Sequence, residues 1–304
     1  MIKELVSILP FFILLILGYL ARKSGKFPAH TGIGLNLYVI YIALPALVLK
    51  LAPGLKLNAN TLFLALIPWL GLGLGFGLVW ILAKFFSWDR EIKGALLLMV
   101  GLGNTAFLGL PMVSHFFGAK GLAYALIYDQ IGSFLSLVIY GTLILSLYGT
   151  SKHQVSLREL LQKILFFPAF ICLLIGFFVP VRIFPSWWQT LVRMTANSLV
   201  PVVMFAIGFE FRLILPKKDV LPCFVGLALK MLVIPLIFLG LIKTLHLNTL
   251  PLKVAIFELS MPPMVAAGAL AAAAQFKTEL TSFMVGFGIV LSFITLPFIY
   301  TLLV

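Results

Sequence analysis

The chain has 304 residues, 62% of them hydrophobic and only 10% charged, with 28 phenylalanines spread along it and a net charge of +13. A soluble domain is about one quarter charged and roughly half apolar, so a soluble enzyme or a soluble nucleic-acid module is excluded. The basic excess sits in short gaps between apolar runs, with no basic helix or aromatic–basic motif. It therefore orients the chain in a lipid bilayer and does not bind nucleic acid.

Ten apolar runs follow one another: 4–21, 33–51, 61–83, 93–117, 121–148, 160–181, 188–211, 220–242, 253–275 and 280–303. Each is long enough to cross a bilayer as a helix, and strand-length alternation is absent. The expectation is an all-α polytopic membrane protein with ten transmembrane helices. The first run, Leu5–Ala21, is too long for a secretory leader and lacks a small-x-small cleavage site. Cys172 and Cys223 both lie inside apolar runs and point to no disulfide.

Gaps after odd-numbered spans carry Arg22, Lys23, Lys26, Lys84, Arg90, Lys93, Lys152, Arg158, Lys163, Arg212, Lys217, Lys218 and Lys277. The other side carries Lys3, Lys50, Lys56, Lys120, Arg182, Arg193, Lys243 and Lys253. Basic loops stay cytoplasmic, which predicts a cell-membrane protein with both termini outside.

The chain also reads as two halves, residues 1–150 and 151–304. Pro10 aligns with Pro168, Gly18 with Gly176, Pro28 with Pro185 and Pro45 with Pro201, at offsets of 156 to 158. Five spans per half would make the second half enter from the opposite face. That is a 5+5 inverted repeat, an architecture many secondary transporters use, with substrate held at interrupted helices near the midplane.

Two interruptions stand at corresponding places. Span four carries Gly101-Leu-Gly-Asn104-Thr105-Ala-Phe-Leu-Gly109-Leu-Pro111 and span nine Glu258-Leu-Ser260-Met261-Pro262-Pro263. Glycine weakens a helix, and proline removes a donor and disfavours helix before it. Crossed, broken helices four and nine are expected. Asn104 and Thr105 would cap the freed ends and, with Pro111, Ser260, Pro262 and Pro263, face the substrate. Half-helix N-termini suit a carboxylate, and loose carbonyls suit a cation.

Charges inside spans are few and expensive. Lys230, deep in span eight, is either half of a structural ion pair or a counter-charge for an anion or a missing sodium. Glu258, one turn before the prolines, suits a Na+ or proton site, or partners Lys230. Asp129 and Gln130 in span five are an interfacial cap or part of the same cluster. Asn36, Asn197 and Ser198 read as interhelical hydrogen-bonding groups, His115 as a packing residue, and Glu210 with Arg212 as a surface pair. No histidine–cysteine–carboxylate cluster, phosphate loop or nucleophile elbow is present, so no enzyme is expected and the energy source is a gradient.

Four stretches together resemble the auxin efflux carrier family, plant and bacterial: the Asn104–Pro111 segment, Tyr38–Leu51 with Leu44-Pro45-Ala46, Leu229-Lys230 to Pro235, and Pro262-Pro263. The resemblance implies an elevator-type carrier. Spans one, two, six and seven would form a scaffold, spans three to five and eight to ten a moving transport domain, and a homodimer would form through the scaffold, with Trp187-Trp188 at the membrane interface. It implies that Asn104 receives the substrate carboxylate, an auxin- or malate-like organic anion. The run Glu258-x-x-Met261 is distantly similar to the sodium–bile acid symporters, where the glutamate binds Na+; here Pro262 replaces their glutamine. Na+ is therefore the candidate ion and no other cofactor is expected. A proton-linked carrier, an uncoupled carrier and a cation/proton antiporter stand as alternatives, with a non-transporting receptor for the same anion as a further rival.

Overall fold

The computed structural model describes residues 2–54, 59–149, 156–179, 183–211 and 215–304. Among the described residues it is helical, without strands beyond one isolated bridge. The helices are α1 (Ile2–Ser7), α2 (Leu9–Lys23), α3 (Thr31–Tyr38), α4 (Leu44–Leu51), α5 (Ala59–Phe85), α6 (Arg90–Gly101), α7 (Leu110–Ile127), α8 (Phe134–Ser136) and α9 (Thr142–Tyr148). The rest are α10 (Leu157–Leu165), α11 (Pro168–Phe178), α12 (Ser186–Asn197), α13 (Leu199–Glu210), α14 (Val220–Ala228), α15 (Ile234–Thr244), α16 (Leu250–Leu259), α17 (Val265–Ala273) and α18 (Thr278–Leu303).

Six helical stretches are long and apolar enough to cross a membrane, and a seventh forms if α10 and α11, bent by 64°, count as one. The remaining expected spans are interrupted. α6, α16 and α17 have 12, 10 and 9 residues, each too short to cross alone. Spans four and five run together as one helical stretch, Thr105–Tyr148, kinked at Gly118, whose φ of 66° is open to glycine at little cost.

Proline acts on this chain in two ways. Pro45, Pro111 and Pro235 each sit in the first turn of a helix that continues a preceding π-turn: Val39–Ala43, Thr105–Gly109 and Leu229–Val233. Leu44 N–H donates to Val39 O, Leu110 to Thr105 O and Ile234 to Leu229 O, each reaching back five residues. A proline ring collides with the carbonyl four residues earlier; widening the turn moves that carbonyl aside, and the helix survives. Pro262-Pro263 instead interrupts it. α16 ends at Leu259 and α17 begins at Val265.

The break in span four therefore lies at Leu102–Asn104, between α6 and the π-turn, and not at Pro111, which is buried inside continuous helix. That corrects the sequence expectation. Leu102 is extended, at φ −114° and ψ 117°, and Asn104 is non-helical. The two breaks pair with each other. Asn104 N–H donates to Pro262 O (2.8 Å), Met264 N–H donates to Leu102 O (3.0 Å), and Gly103 bridges antiparallel to Pro263. Backbone groups freed in an apolar interior cost several kcal/mol each when unpaired; here each break satisfies part of the other.

Elsewhere the helices meet through small residues. α2 lies along α13, where a methyl group on Gly18 would strike Phe205 O and one on Gly208 would strike Leu15 O. Gly176 of α11 lies against Ala52 beyond α4, and Gly71 of α5 lies under Leu259 at the end of α16. These contacts fix the frame around the paired breaks.

Candidate functional site

The crossing gathers most of the predicted polar residues. Asn104, Thr105, Asp129, Gln130, Lys230, Glu258 and Ser260 are all buried, Glu258 completely and Lys230 to 3% exposure. Asp129 and Gln130 sit in the π-turn Tyr128–Ser133 after α7, which turns both side chains toward the first break. Thr105 Oγ1 donates to Asp129 Oδ1 (2.6 Å), and Gln130 Nε2 donates to Asp129 Oδ2 (2.8 Å). Asp129 is thus a member of the buried cluster, and the interfacial-cap alternative falls.

Several atoms in this cluster carry no hydrogen bond: Asn104 Nδ2, Gln130 Oε1, Ser136 Oγ and both carboxylate oxygens of Glu258. Buried polar groups are normally paired, so a concentration of unpaired ones marks a place where a ligand or water completes the set. Asn104 was expected to cap a freed helix end with its side chain. It does not; its backbone carbonyl accepts from Leu108 and Gly109 (3.4 and 3.0 Å), and its amide is left over.

Two cavities adjoin the crossing. The first, about 130 Å³, is lined by Asn104, Asp129 and Gln130 together with Ala106, Phe107, Val265 and Ala266. Its far wall is Ile40, Leu44, Phe134 and Phe167. Ala106 and Phe107 open the helix after the first break, and Val265 and Ala266 open α17 after the second. Two helix N-termini therefore face this cavity, and first-turn N–H groups have no partner within their own helix.

The second cavity is about 10 Å³, near the minimum for one water. It is lined by Gly101, Leu102 and Leu259, where the half-helices α6 and α16 end, and by Thr105, Tyr128, Ser133, Ser136, Lys230 and Glu258. Helix C-termini present partial negative charge, and Lys230 is the cation that meets it. Lys230 and Glu258 both line this space, yet neither Glu258 oxygen is hydrogen-bonded. Gly103 and Gly109 keep the cluster compact. A methyl on Gly103 would lie 3.0 Å from Lys230 Nζ, and one on Gly109 would strike the Glu258 carboxylate.

Other predicted residues fall outside the cavities. Ser260 Oγ donates to Phe257 O (2.6 Å) at the end of its own helix, and Met261 packs behind Gly103; neither lines a cavity. Pro262 and Pro263 contribute backbone pairing, with Pro263 also packed on Gly288 of α18. Pro111 lies within α7, away from both cavities. Asn36 Nδ2 donates to Glu210 Oε2 (3.0 Å), Lys50 Nζ to Asn197 Oδ1 (3.1 Å), and Tyr38 and Ser198 share a hydrogen bond, as interhelical groups should. Arg212, expected beside Glu210, lies outside the described residues, as do Lys56, Lys152 and Arg182. His115 bonds Ser7 and packs on Phe11 and Phe116, a packing role.

Sequence reading missed the walls. Phe107, Phe134 and Phe167 look like any other phenylalanine in an apolar run, and Ser133 and Ser136 look like ordinary helix serines. It also missed a larger cavity of about 440 Å³ that contains Arg22, His30, Asn36 and Glu210 and reaches Val265, a residue shared with the cavity at Asn104.

Two archaeal relatives match most of the chain's length. An uncharacterized transporter of the archaeon Methanothermobacter thermautotrophicus is 24% identical over 295 residues, 96% of this chain and 95% of the relative. An uncharacterized transporter of Methanocaldococcus jannaschii is 27% identical over 262 residues, 82% of each chain. The family described as membrane transport protein matches residues 4–300. The buried polar crossing thus lies in a membrane transporter, and the chain belongs to the membrane transport protein family, that of the auxin efflux carriers.

Proposed function

We propose that the protein is a secondary transporter of a small organic anion, a carboxylate, bound in the cavity at Asn104. One observation carries this reading: a single cavity collects two helix N-termini and the unpaired Asn104 amide. All are hydrogen-bond donors or positive dipole ends, and together they form an anion-binding arrangement. The aromatic and aliphatic far wall suits the substrate's apolar body.

Asp129 lines the same cavity. A carboxylate arriving beside it brings like charges together, so a cation must accompany the substrate. Asp129 and Glu258 are the groups that would take it, as Na+ or as a proton, and Lys230 holds Glu258 when the cation is absent. The cavity's far wall comes from residues 40, 44 and 167, and its near wall from the two breaks. This supports ten spans in a 5+5 inverted repeat, with spans one, two, six and seven as a scaffold and the crossing moving past them as an elevator; two copies would join through the scaffolds. The basic loops after odd-numbered spans support both termini lying outside the cell membrane.

The test is flux into proteoliposomes with a panel of radiolabelled carboxylates, under Na+, proton or no gradient. Accumulation of one acid driven by one gradient supports the reading. A second reading, a cation/proton antiporter, gains from Asp129 and Glu258 entering one cluster. It would show Na+/H+ exchange with no organic substrate.

A further inference from the structure

A third cavity, of about 230 Å³, lies well away from the crossing, where the end of α4, the end of α11 and the first half of α12 meet. It holds two cations, Lys50 and Arg193, with Gln189, and no acidic residue among the described residues lines it. Lys50 Nζ donates to Asn197 Oδ1 (3.1 Å), and Arg193 makes a long 3.4 Å contact with Thr190 Oγ1. An ammonium has three N–H donors and a guanidinium five, so most of their donors are unused within the chain. Lys50 stands in the last turn of α4, where a helix terminus favours a cation. Arg193 stands in the interior of α12 and has no such reason to be there.

Both side chains are exposed at the mouth of this cavity, and like charges held together there favour an anion between them. The remaining wall is apolar and aromatic, including Phe184 and Trp188, which stack with centroids 6.2 Å apart. Next in the chain to the lining residues Val179 and Trp188 stand strongly exposed apolar residues, Phe178 at 82% and Trp187 at 65%. Such residues belong at the membrane interface. The occupant therefore has an anionic head and a hydrocarbon body, and it comes from the bilayer.

We infer that this cavity binds the phosphodiester headgroup of an anionic phospholipid. Lys50 and Arg193 clamp the phosphate, Gln189 supplies a further amide at the cavity wall, and Trp188 with Phe184 covers the glycerol and upper acyl chain. Basic pockets between membrane helices recognise lipid headgroups in this way. The lipid would join α4, α11 and α12 without touching the crossing, so the inference is independent of the transported substrate.

The experiment compares the full-length protein with the Lys50→Gln/Arg193→Gln variant in phosphatidylcholine nanodiscs, with and without phosphatidylglycerol. Thermal unfolding is read alongside native mass spectrometry of retained lipid. Wild type should unfold several degrees higher with phosphatidylglycerol and retain one molecule per chain. The variant should unfold like wild type in pure phosphatidylcholine, gain nothing from phosphatidylglycerol, and retain it about a hundredfold less, as the loss of one charge-assisted hydrogen bond at each of the two positions implies. Equal responses of wild type and variant would overturn the proposal. An equal shift from soluble glycerol 3-phosphate in pure phosphatidylcholine would overturn the lipid and make the ligand a free phosphate ester. If the double variant does not fold, the two single Gln variants each serve, with a partial loss expected.

Discussion

Where α2 crosses α13, Gly18 lies against the Phe205 carbonyl and Gly208 against the Leu15 carbonyl. Where Leu102–Asn104 crosses Pro262–Met264, two backbone hydrogen bonds join the strands, and an asparagine amide and a glutamate carboxylate are left unpaired beside them. Both contacts bring main chains together inside the membrane. The first does so with glycine and leaves no polar group over, so it has one way to pack. The second leaves donors, acceptors and charges waiting, and is completed only by something that enters. The difference separates a frame from a binding site.

Breaking that contrast should be costliest at Lys230. Lys230→Met removes the cation that shares the small cavity with the unpaired Glu258 carboxyl, and uncovering a buried charged group costs more than the about 1–3 kcal/mol of a neutral one. Thermal unfolding should drop sharply, and adding Glu258→Gln should recover most of the loss. A double variant as unstable as the single would show that Lys230 acts through packing.

At the frame, Gly208→Ala forces a methyl into Leu15 O, and overpacking a tight contact costs about 1–3 kcal/mol. The same variant should leave substrate affinity unchanged, because nothing of α13 lines the cavity at Asn104. Altered affinity would merge the two regions that the contrast keeps apart.

The smallest effect belongs to Lys277, at the turn before α18, which reaches Asp89 (3.4 Å) and Glu91 (3.6 Å). Burial pulls its ammonium down, but Asp89 and then Glu91 outweigh this and hold it above the usual lysine value. Its contribution is therefore complete below the ordinary lysine range and is lost as pH rises through the elevated value. Both acids are more than half exposed, so solvent screening keeps the contribution below about 1 kcal/mol. Lys277→Ala should move the unfolding midpoint by about a degree or two in neutral buffer.

Much of this was legible in the chain. Run length and composition gave the helical membrane class, and the proline–glycine clusters located both breaks within a few residues. Asn104, Thr105, Asp129, Gln130, Lys230 and Glu258 were all named, because a polar group in an apolar run stands out by its cost. Pro111 was misjudged because sequence shows the missing donor but not the π-turn that accommodates it. Ser260 donates within its own helix, a pairing that sequence does not show. The aromatic cavity wall was invisible, since a phenylalanine facing a substrate and one facing lipid obey the same hydrophobic rule.

The central claim is that the unpaired Asn104 amide receives a carboxylate. The most direct measurement is thermal stabilisation of purified wild type and Asn104→Ala by a panel of organic acids. Asn104 Nδ2 makes no hydrogen bond within the chain, so the variant should fold with nearly wild-type stability. An acid at 100 times its Kd should stabilise wild type by about 2.7 kcal/mol, and the variant should lose most of that shift. An identical shift in both proteins would contradict the account and place the substrate elsewhere.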